Sequence, residues 1–330
     1  MKKGIVIATG LAGLTAAILL IVYQGVAEVL GHLVDTGWGL LLVTLFHVIP
    51  LILSAKGLQV LITGHRVDLL TITNIRWIRE GIASLLPVAQ VGGDFVGARL
   101  LTFYNVPGGV AGGSSVVSLT MEVLTQFLFT VLGFGLLFLF LVLGGRELEG
   151  FYWMLLGLLV ALLALLGFVI AQQSGFFRLV ERLFNRMTKG HDLEWLGIGE
   201  LSGLHEAIRT IYRSPRALTA SAFYHFFSWV TGAGEVWILF YFMGYPLSIW
   251  DALILETVGK AVRSAAFIVP SGWGVVEGAL MLFAPLLGLT PELGLALSLG
   301  KRVREVALGV PSLFAWHVIE GRRLWKRNNP

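Results

Sequence analysis

The sequence predicts an all-α, polytopic membrane protein, and three observations support this prediction. The chain is 56% hydrophobic and only 13% charged, whereas a soluble globular domain is about 25% charged. Its mean hydropathy is +0.82. Apolar runs long enough to cross a bilayer as helices recur along the chain. We therefore expect a helical bundle that forms one integral-membrane domain over residues 1–330.

Six stretches are apolar enough to be membrane-spanning helices, since about 20 residues cross the hydrocarbon core. The first follows Met1 and two lysines, and it is longer than the apolar region of a secretory signal, so we interpret it as an uncleaved span. The six predicted spans are 4–23, 37–62, 115–143, 151–171, 217–243 and 293–318.

The basic residues predict how these spans are oriented. They cluster at 2–3, 65–79, 178–216 and 322–327. Because positive loops stay in the cytoplasm, both termini are expected there. There are two further apolar segments, 80–105 and 251–288. If each enters and leaves the membrane on the same face, every basic cluster lies on the cytoplasmic side. We predict two re-entrant hairpins from opposite faces; eight full spans are the alternative.

Both predicted hairpins combine helix-breaking residues with charges. Proline removes a backbone donor, and glycine lets the backbone approach a neighbour closely. Charges at membrane depth are costly and mark polar cavities or ion pairs. The first hairpin contains Pro87 between Arg79 and Asp94, and the second contains Pro270 between Lys260 and Glu277.

The two hairpins are related by an internal repeat. A shift of 183 residues places Pro87 on Pro270, Asp94 on Glu277 and Glu122 on Glu305. Inverted repeats with broken helices meeting at the midplane are a transporter architecture. We therefore predict pseudo-repeat halves over 37–171 and 217–318. The cytoplasmic segment 172–216 joins them, and its residues 176–187 are expected to form an amphipathic helix on the inner leaflet.

The candidate binding and translocation residues lie in and around the hairpins. Freed amides and basic side chains favour an anion, and the acids can bind a proton or sugar hydroxyls. They are Arg76, Arg79, Pro87, Gln90, Gly93, Asp94, Glu122, Lys260, Arg263, Pro270, Ser271, Gly272, Gly274, Glu277 and Glu305.

Other charged residues admit a structural interpretation. The acids and bases can instead pair with one another and hold the bundle together. Arg99, Lys301, Arg302 and Arg304 are expected to reach the membrane interface by snorkelling. His47, Lys56, His225 and Glu235 lie in other apparent spans, and we rank them below the hairpin residues because a lone histidine in a span is more often a packing residue.

The sequence also excludes several classes. It contains no cysteine, so disulfides and thiolate sites are absent. It contains no Walker loop or Gly-x-Ser-x-Gly motif, so we expect neither catalysis nor a cofactor or metal. The net charge of +4 belongs to loops that flank apolar spans and does not indicate nucleic-acid binding.

At the hairpins the sequence resembles the flippase-like membrane family that includes the transmembrane domain of lysylphosphatidylglycerol synthase. The residues are Leu85-Leu-Pro-Val-Ala-Gln-Val-Gly-Gly-Asp-Phe-Val-Gly-Ala-Arg99 and Val269-Pro-Ser-Gly-Trp-Gly-Val-Val-Glu-Gly278. Within the family the chain is most similar to the hopanoid-associated HpnL membrane proteins. Many members carry Glu where Asp94 stands.

The resemblance implies a lipid flippase or transporter of the bacterial inner membrane that moves an amphiphilic lipid, for the HpnL branch a hopanoid, toward the outer membrane. Proteins of lipid synthesis or export are the implied partners, with a phospholipid as the other possible substrate. Two other classes stay open: an integral-membrane enzyme that acts on a lipid headgroup, and a scaffold for a lipid-synthesis complex.

Overall fold

The computed structural model describes Thr15 and residues 26–86, 89–144, 151–173, 203–266 and 269–328. These residues are helical apart from short connections, and none of them lies in a strand. The predicted all-α class is confirmed. The predicted first span, 4–23, and the amphipathic segment 176–187 lie outside the described residues.

The helices of the N-terminal half are α1 (Val26–Thr36), α2 (Gly39–Phe46), α3 (Val48–Gln59), α4 (Leu69–Leu85), α5 (Ala89–Thr102), α6 (Gly108–Leu143) and α7 (Phe151–Gln173). Those of the C-terminal half are α8 (Leu204–Tyr212), α9 (Pro215–Phe242), α10 (Ile249–Ala265), α11 (Val275–Phe283) and α12 (Pro291–Asn328). Two 3₁₀ turns, Pro270–Gly272 and Ala284–Leu287, flank α11. Helices therefore occupy all the predicted spans from residue 37 onward.

Two of the described helical stretches are long and apolar enough to cross a membrane. One is Gly39–Gln59, which comprises α2 and α3, with a mean hydropathy of 1.9. The other is α6, Gly108–Leu143, with a mean hydropathy of 2.4. Both coincide with spans that the sequence predicts.

Helix α6 exposes apolar side chains and buries polar ones. Ser118 and Thr125 are buried, whereas Leu128, Leu132 and Leu139 are exposed. Water-soluble proteins rarely expose contiguous apolar patches, and such patches mark protein or membrane contacts. The outer face of α6 is therefore suited to lipid.

The chain forms two compact units by internal packing. Unit 1 contains the described residues of 1–48, 76–93 and 232–330, and unit 2 those of 49–75 and 94–231. In unit 1, α12 packs against α1, α2 and α11. In unit 2, α6 packs against α7 and α8. This division rests on packing and does not test the predicted sequence repeat.

Unit 2 has an apolar core where α8 meets α6. Ile208 and Ile211 of α8 pack with Val117 of α6 and with Leu61, and all four are buried. Gly113 has no side chain, and this lets α6 approach α8 closely: a Cβ there would lie 2.8 Å from the Ala207 side chain. Apolar burial thus stabilises this unit.

Both predicted hairpins contain a helix break. Helix α4 ends at Leu85 and α5 begins at Ala89, while α10 ends at Ala265 and α11 begins at Val275. Sequence reasoning placed these breaks at prolines and glycines, which end helices. Re-entry into the membrane and the inverted repeat stay predictions.

Candidate functional site

A buried glutamate fixes the second helix break. Glu277, in the first turn of α11, is fully buried. Its Oε2 accepts the N–H of Gly274 at 2.7 Å, so the side chain caps its own helix. Its Oε1 accepts the Ser298 hydroxyl at 3.2 Å and Arg302 Nε at 2.9 Å. The carboxylate thereby ties the break to α12.

Arg302 of α12 holds the same break from the other side. Its Nη2 donates to the carbonyl oxygen of Ser271 at 2.9 Å. Its guanidinium lies over the indole of Trp273, with Cζ 4.4 Å from the ring centroid, a cation–π contact. Arg302 thus holds both Ser271 and Trp273 of the break.

The backbone of the break is in the left-handed region. Gly272 and Gly274 have φ of 65° and 77°, which glycine adopts readily. Ser271 has φ of 54°, which costs a residue with a Cβ about 1–2 kcal/mol. The Ser271 hydroxyl donates to the carbonyl oxygen of Ser84 at 2.5 Å. This bond brings the ends of both broken helices together within unit 1.

Glu305, one turn along α12 from Arg302, is shared by three arginines. Arg302 Nη1 donates to its Oε2 at 2.9 Å. Arg263 of α10 donates to its Oε1, and Arg304 Nη2 lies 3.6 Å from the same oxygen. Glu305 therefore links α10 and α12 at the break.

A second carboxylate is shared by two lysines. Glu256 Oε2 accepts from Lys301, and Lys260 Nζ lies 3.7 Å from Glu256 Oε1. A Cβ on Gly232 would lie 2.8 Å from Glu256 Oε1, so the missing side chain of Gly232 makes room for this carboxylate.

Arg304 connects these ion pairs to a third carboxylate, that of Glu235. Its Nη1 donates to Glu235 Oε2 at 2.7 Å. The ring of His47 lies beside this pair, with Nδ1 2.6 Å from Glu235 Oε1 and Nε2 2.9 Å from Glu80 Oε1. We refer to all these groups together as the ion-pair network. Its members are His47, Glu80, Glu235, Glu256, Lys260, Arg263, Glu277, Lys301, Arg302, Arg304 and Glu305.

The network has as many glutamates as lysines and arginines. Five basic side chains contact the four carboxylates of Glu235, Glu256, Glu277 and Glu305, and His47 contacts the fifth, Glu80. Buried ion pairs contribute little net stability, since desolvation offsets their attraction. Removing one partner is costly, because it leaves the other buried and uncompensated. Because the buried charges add little stability, such a network indicates a functional site for a polar or charged ligand.

A small cavity opens among these side chains. Its volume is about 40 Å³, and its charged lining includes Lys260, Arg263, Arg302, Arg304 and Glu305. The aliphatic part of the lining includes Leu255, Val276, Leu280 and Leu297. A cavity of this size admits water, whereas a lipid headgroup requires the helices to separate.

The structure brings seven of the candidate residues together at the second break. They are Lys260, Arg263, Ser271, Gly272, Gly274, Glu277 and Glu305. Three more belong to unit 1: Arg76 is buried, and a Cβ on Gly93 would collide with the backbone oxygen of Arg79. Pro87 lies outside the described residues, as do the side chains of Gln90 and Pro270.

Two candidate acids belong to unit 2. Asp94 of α5 is half-buried. Glu122 of α6 is buried, and its Oε1 lies 3.4 Å from the Ser118 hydroxyl. Ser118 also lies 3.2 Å from Nε2 of His225, which packs on Gly57. Unit 2 thus has its own buried polar cluster.

The snorkelling prediction is wrong for Lys301, Arg302 and Arg304. Arg302 and Arg304 are buried, and all three pair with glutamates inside unit 1. The physical reason is that each of these side chains has a carboxylate partner inside unit 1, which compensates its charge there.

Sequence reasoning also gave too little weight to four network members. His47 and Glu235 were ranked below the hairpin residues, and both take part in charged contacts. Glu80 and Glu256 were not singled out. The signal for Glu256 was its spacing of four from Lys260, which puts both on one helix face. No local signal indicates contacts such as His47 with Glu235, which are 188 residues apart.

The fold and this site define a class, namely helical membrane proteins with a buried ion-pair network at a broken helix. Residues 5–311 match the family described as the lysylphosphatidylglycerol synthase TM region, and the chain belongs to this family. The family resemblance seen in the sequence is thereby confirmed, and with it a membrane protein of lipid-related function. No curated protein and no solved structure matches the chain.

Proposed function

We propose that this protein moves an amphiphilic lipid between the leaflets of the membrane. The observation that carries the proposal is the ion-pair network around the break between α10 and α11. Charges inside a membrane protein mark substrate and ion pathways, and broken helices mark transporter sites. Several network carboxylates are shared by two or three bases. One base can therefore leave its carboxylate to bind a headgroup while the other bases keep the carboxylate paired.

Two substrate classes follow from two different observations. The resemblance to the HpnL branch supports a hopanoid. The lining of the small cavity supports a lipid with an anionic headgroup, since it contains five lysine and arginine side chains and one carboxylate. The family name, lysylphosphatidylglycerol synthase TM region, agrees with a phospholipid as the second of these.

The proposed setting is the bacterial inner membrane. We propose a multi-pass arrangement with both termini in the cytoplasm, supported by the positions of the basic clusters. Proteins of lipid synthesis or export would supply or remove the lipid at either leaflet. The protein would need no cofactor.

Leaflet exchange in liposomes tests the proposal. Purified protein is reconstituted with a fluorescent phosphatidylglycerol or a fluorescent hopanoid, and an impermeant reductant then quenches the outer leaflet. We expect exchange of one class to be faster than in empty liposomes. Lys260→Gln and Arg263→Gln, at partly exposed positions, should slow it, while Glu206→Gln at an exposed site on α8 should not.

Equal exchange with protein and in empty liposomes, for both lipids, would overturn the proposal. Faster exchange of the phospholipid alone would reject the hopanoid. Exchange that is fast but unaffected by Lys260→Gln and Arg263→Gln would mean that the lipid binds outside the ion-pair network.

An enzyme that acts on a lipid headgroup is the second candidate function. It is favoured by the buried pair in unit 2, in which the Ser118 hydroxyl lies 3.2 Å from His225 Nε2, a contact that a nucleophile makes with its base. Mass spectrometry of a deletion strain separates the candidates. A lipid species that appears or disappears indicates an enzyme, whereas unchanged species with an altered distribution between membranes indicate transport.

A further inference from the structure

His47 is placed between two carboxylates, which accept its protons, and a guanidinium, which donates to its ring. It lies between α2 and α3, where it meets Glu80 of α4, Glu235 of α9 and Arg304 of α12, all within unit 1. Nε2 faces Glu80 Oε1 at 2.9 Å. Nδ1 faces both Glu235 Oε1, at 2.6 Å, and Arg304 Nη1, at 2.5 Å.

These partners suit two protonation states of one ring. An ionised carboxylate only accepts hydrogen bonds, and a guanidinium only donates them. In a neutral ring with its proton on Nε2, that nitrogen donates to Glu80 and Nδ1 accepts from Arg304. In an imidazolium, Nδ1 donates to Glu235 instead. Binding one proton therefore exchanges one partner for another, and each state has its hydrogen bonds satisfied.

The ring also connects a partly exposed glutamate side chain with a buried one. Of the side-chain surface, 43% is exposed for Glu80 but only 2% for Glu235, and His47 separates the two. Histidine is the side chain whose charge changes most readily near neutral pH. A proton that reaches Glu80 therefore has a direct route inward.

We propose that His47 is a proton-binding and proton-transfer site, with Glu80 as its entrance and Glu235 as its inner acceptor. Starting from a ring with its proton on Nδ1, the Glu80 carboxyl gives its proton to Nε2 and becomes a carboxylate. The imidazolium then gives its Nδ1 proton to Glu235, which becomes a carboxyl. The ring is left neutral with a proton on Nε2, and it is ready for a second transfer once its proton has returned to Nδ1.

Other charges of unit 1 surround this site. Lys260 lies near Glu80, and Lys301 lies near Glu235, in addition to Arg304. These cations oppose a charge on the ring, while the two carboxylates favour it. The described residues contain no group of three or more His, Asp or Glu side chains suited to a metal ion. A carboxylate lies at each ring nitrogen, so the ligand we assign to His47 is a proton.

Protonation of His47 is linked by contacts to the helix break. The state of the ring decides whether Arg304 Nη1 donates to it. Arg304 also contacts Glu305, which pairs with Arg302, and Arg302 holds Ser271. A change at His47 thus reaches the proposed lipid site through a continuous set of contacts. This coupling rests on the proposed function, whereas proton binding by His47 does not.

Nitrogen NMR of the histidine rings tests proton binding directly. The full chain, labelled with ¹⁵N in its histidines, is titrated in lipid nanodiscs between about pH 5 and 8. The chain has seven histidines, and we expect one of the rings that change from neutral to imidazolium to be missing from the spectrum of His47→Gln. Glu80→Gln should shift that titration, while His317→Gln, at an exposed site on α12, should leave it unchanged. A His47 ring that keeps one protonation state throughout would overturn the proposal.

Leaflet exchange under an imposed pH gradient tests the coupling. A gradient should change the rate of lipid exchange by about fivefold or more in the wild type. His47→Gln and Glu80→Gln should lose this dependence, and His317→Gln should keep it. Exchange that is equal with and without the gradient overturns the coupling but leaves lipid movement standing. Absence of any exchange counts against the proposed function, and the NMR titration still decides whether His47 binds a proton.

Discussion

Glu305 and Glu122 occupy equivalent positions in the predicted repeat, but their surroundings differ. Glu305, in unit 1, is contacted by Arg263, Arg302 and Arg304. Glu122, in unit 2, lies beside the Ser118 hydroxyl, which also contacts His225. Two acids at the same spacing in the sequence repeat therefore have different contacts and different chemistry. Charge pairing organises unit 1 around its acid.

The largest difference is expected when each of these glutamates loses its charge. Glu305→Gln leaves two buried arginines, Arg302 and Arg304, and the partly exposed Arg263 with too little negative charge, so the free energy of unfolding should fall by about 3–5 kcal/mol. Glu122→Gln keeps an oxygen that can accept from Ser118, so its loss should be about 1 kcal/mol. Unfolding of both variants in detergent micelles measures the two values.

Equal losses for the two variants would contradict the comparison between the units. Glu206→Gln, at an exposed position in the first turn of α8, serves as the control and should lie within about 0.5 kcal/mol of the wild type.

Much of the fold was predictable because it follows from local sequence. Apolar runs predicted the helices, and the prolines and glycines predicted the breaks after Leu85 and Ala265. The acids and bases near the second break were predicted as well, since a charge in an apolar stretch needs a polar environment. Lys260 and Glu277 are examples.

The partners of those charges were not predictable in the same way. Which face of α12 is buried depends on packing against α11, α1 and α2, and that information is not in the spacing of its own residues. Arg302 and Arg304 were therefore assigned to the interface. His47 joins Glu80 and Glu235 from distant parts of the chain, so only the tertiary structure brings these three together.

Unit 2 should respond to lost volume where unit 1 responds to lost charge. Ile208 is buried in the core between α8 and α6. Ile208→Ala should lower the free energy of unfolding by about 2–5 kcal/mol, because it removes three buried carbons and leaves a cavity. Ile208→Val, which removes one carbon, should cost about 0.5–1.5 kcal/mol. Unfolding in detergent micelles gives both values, and a valine variant as unstable as the alanine variant would argue against a volume effect.

Two glycines provide the finest comparison between the units. Gly81, in α4 and unit 1, faces α12, and a Cβ there would collide with the Ser312 hydroxyl and approach the Gly309 carbonyl oxygen. Gly135, in α6 and unit 2, has open space where its Cβ would be. Gly81→Ala should therefore destabilise by about 1–3 kcal/mol through overpacking.

Gly135→Ala should instead raise the free energy of unfolding by about 0.5–1 kcal/mol, because alanine is the better helix former. Thermal unfolding of the two variants in the same detergent decides the signs. The opposite sign at Gly81 would mean that α12 can move away from α4 without loss. The ion-pair network would then be tolerant of shifts in α12, and the bond from Trp77 Nε1 to the Leu308 carbonyl oxygen, at 2.9 Å, would be the next contact to remove.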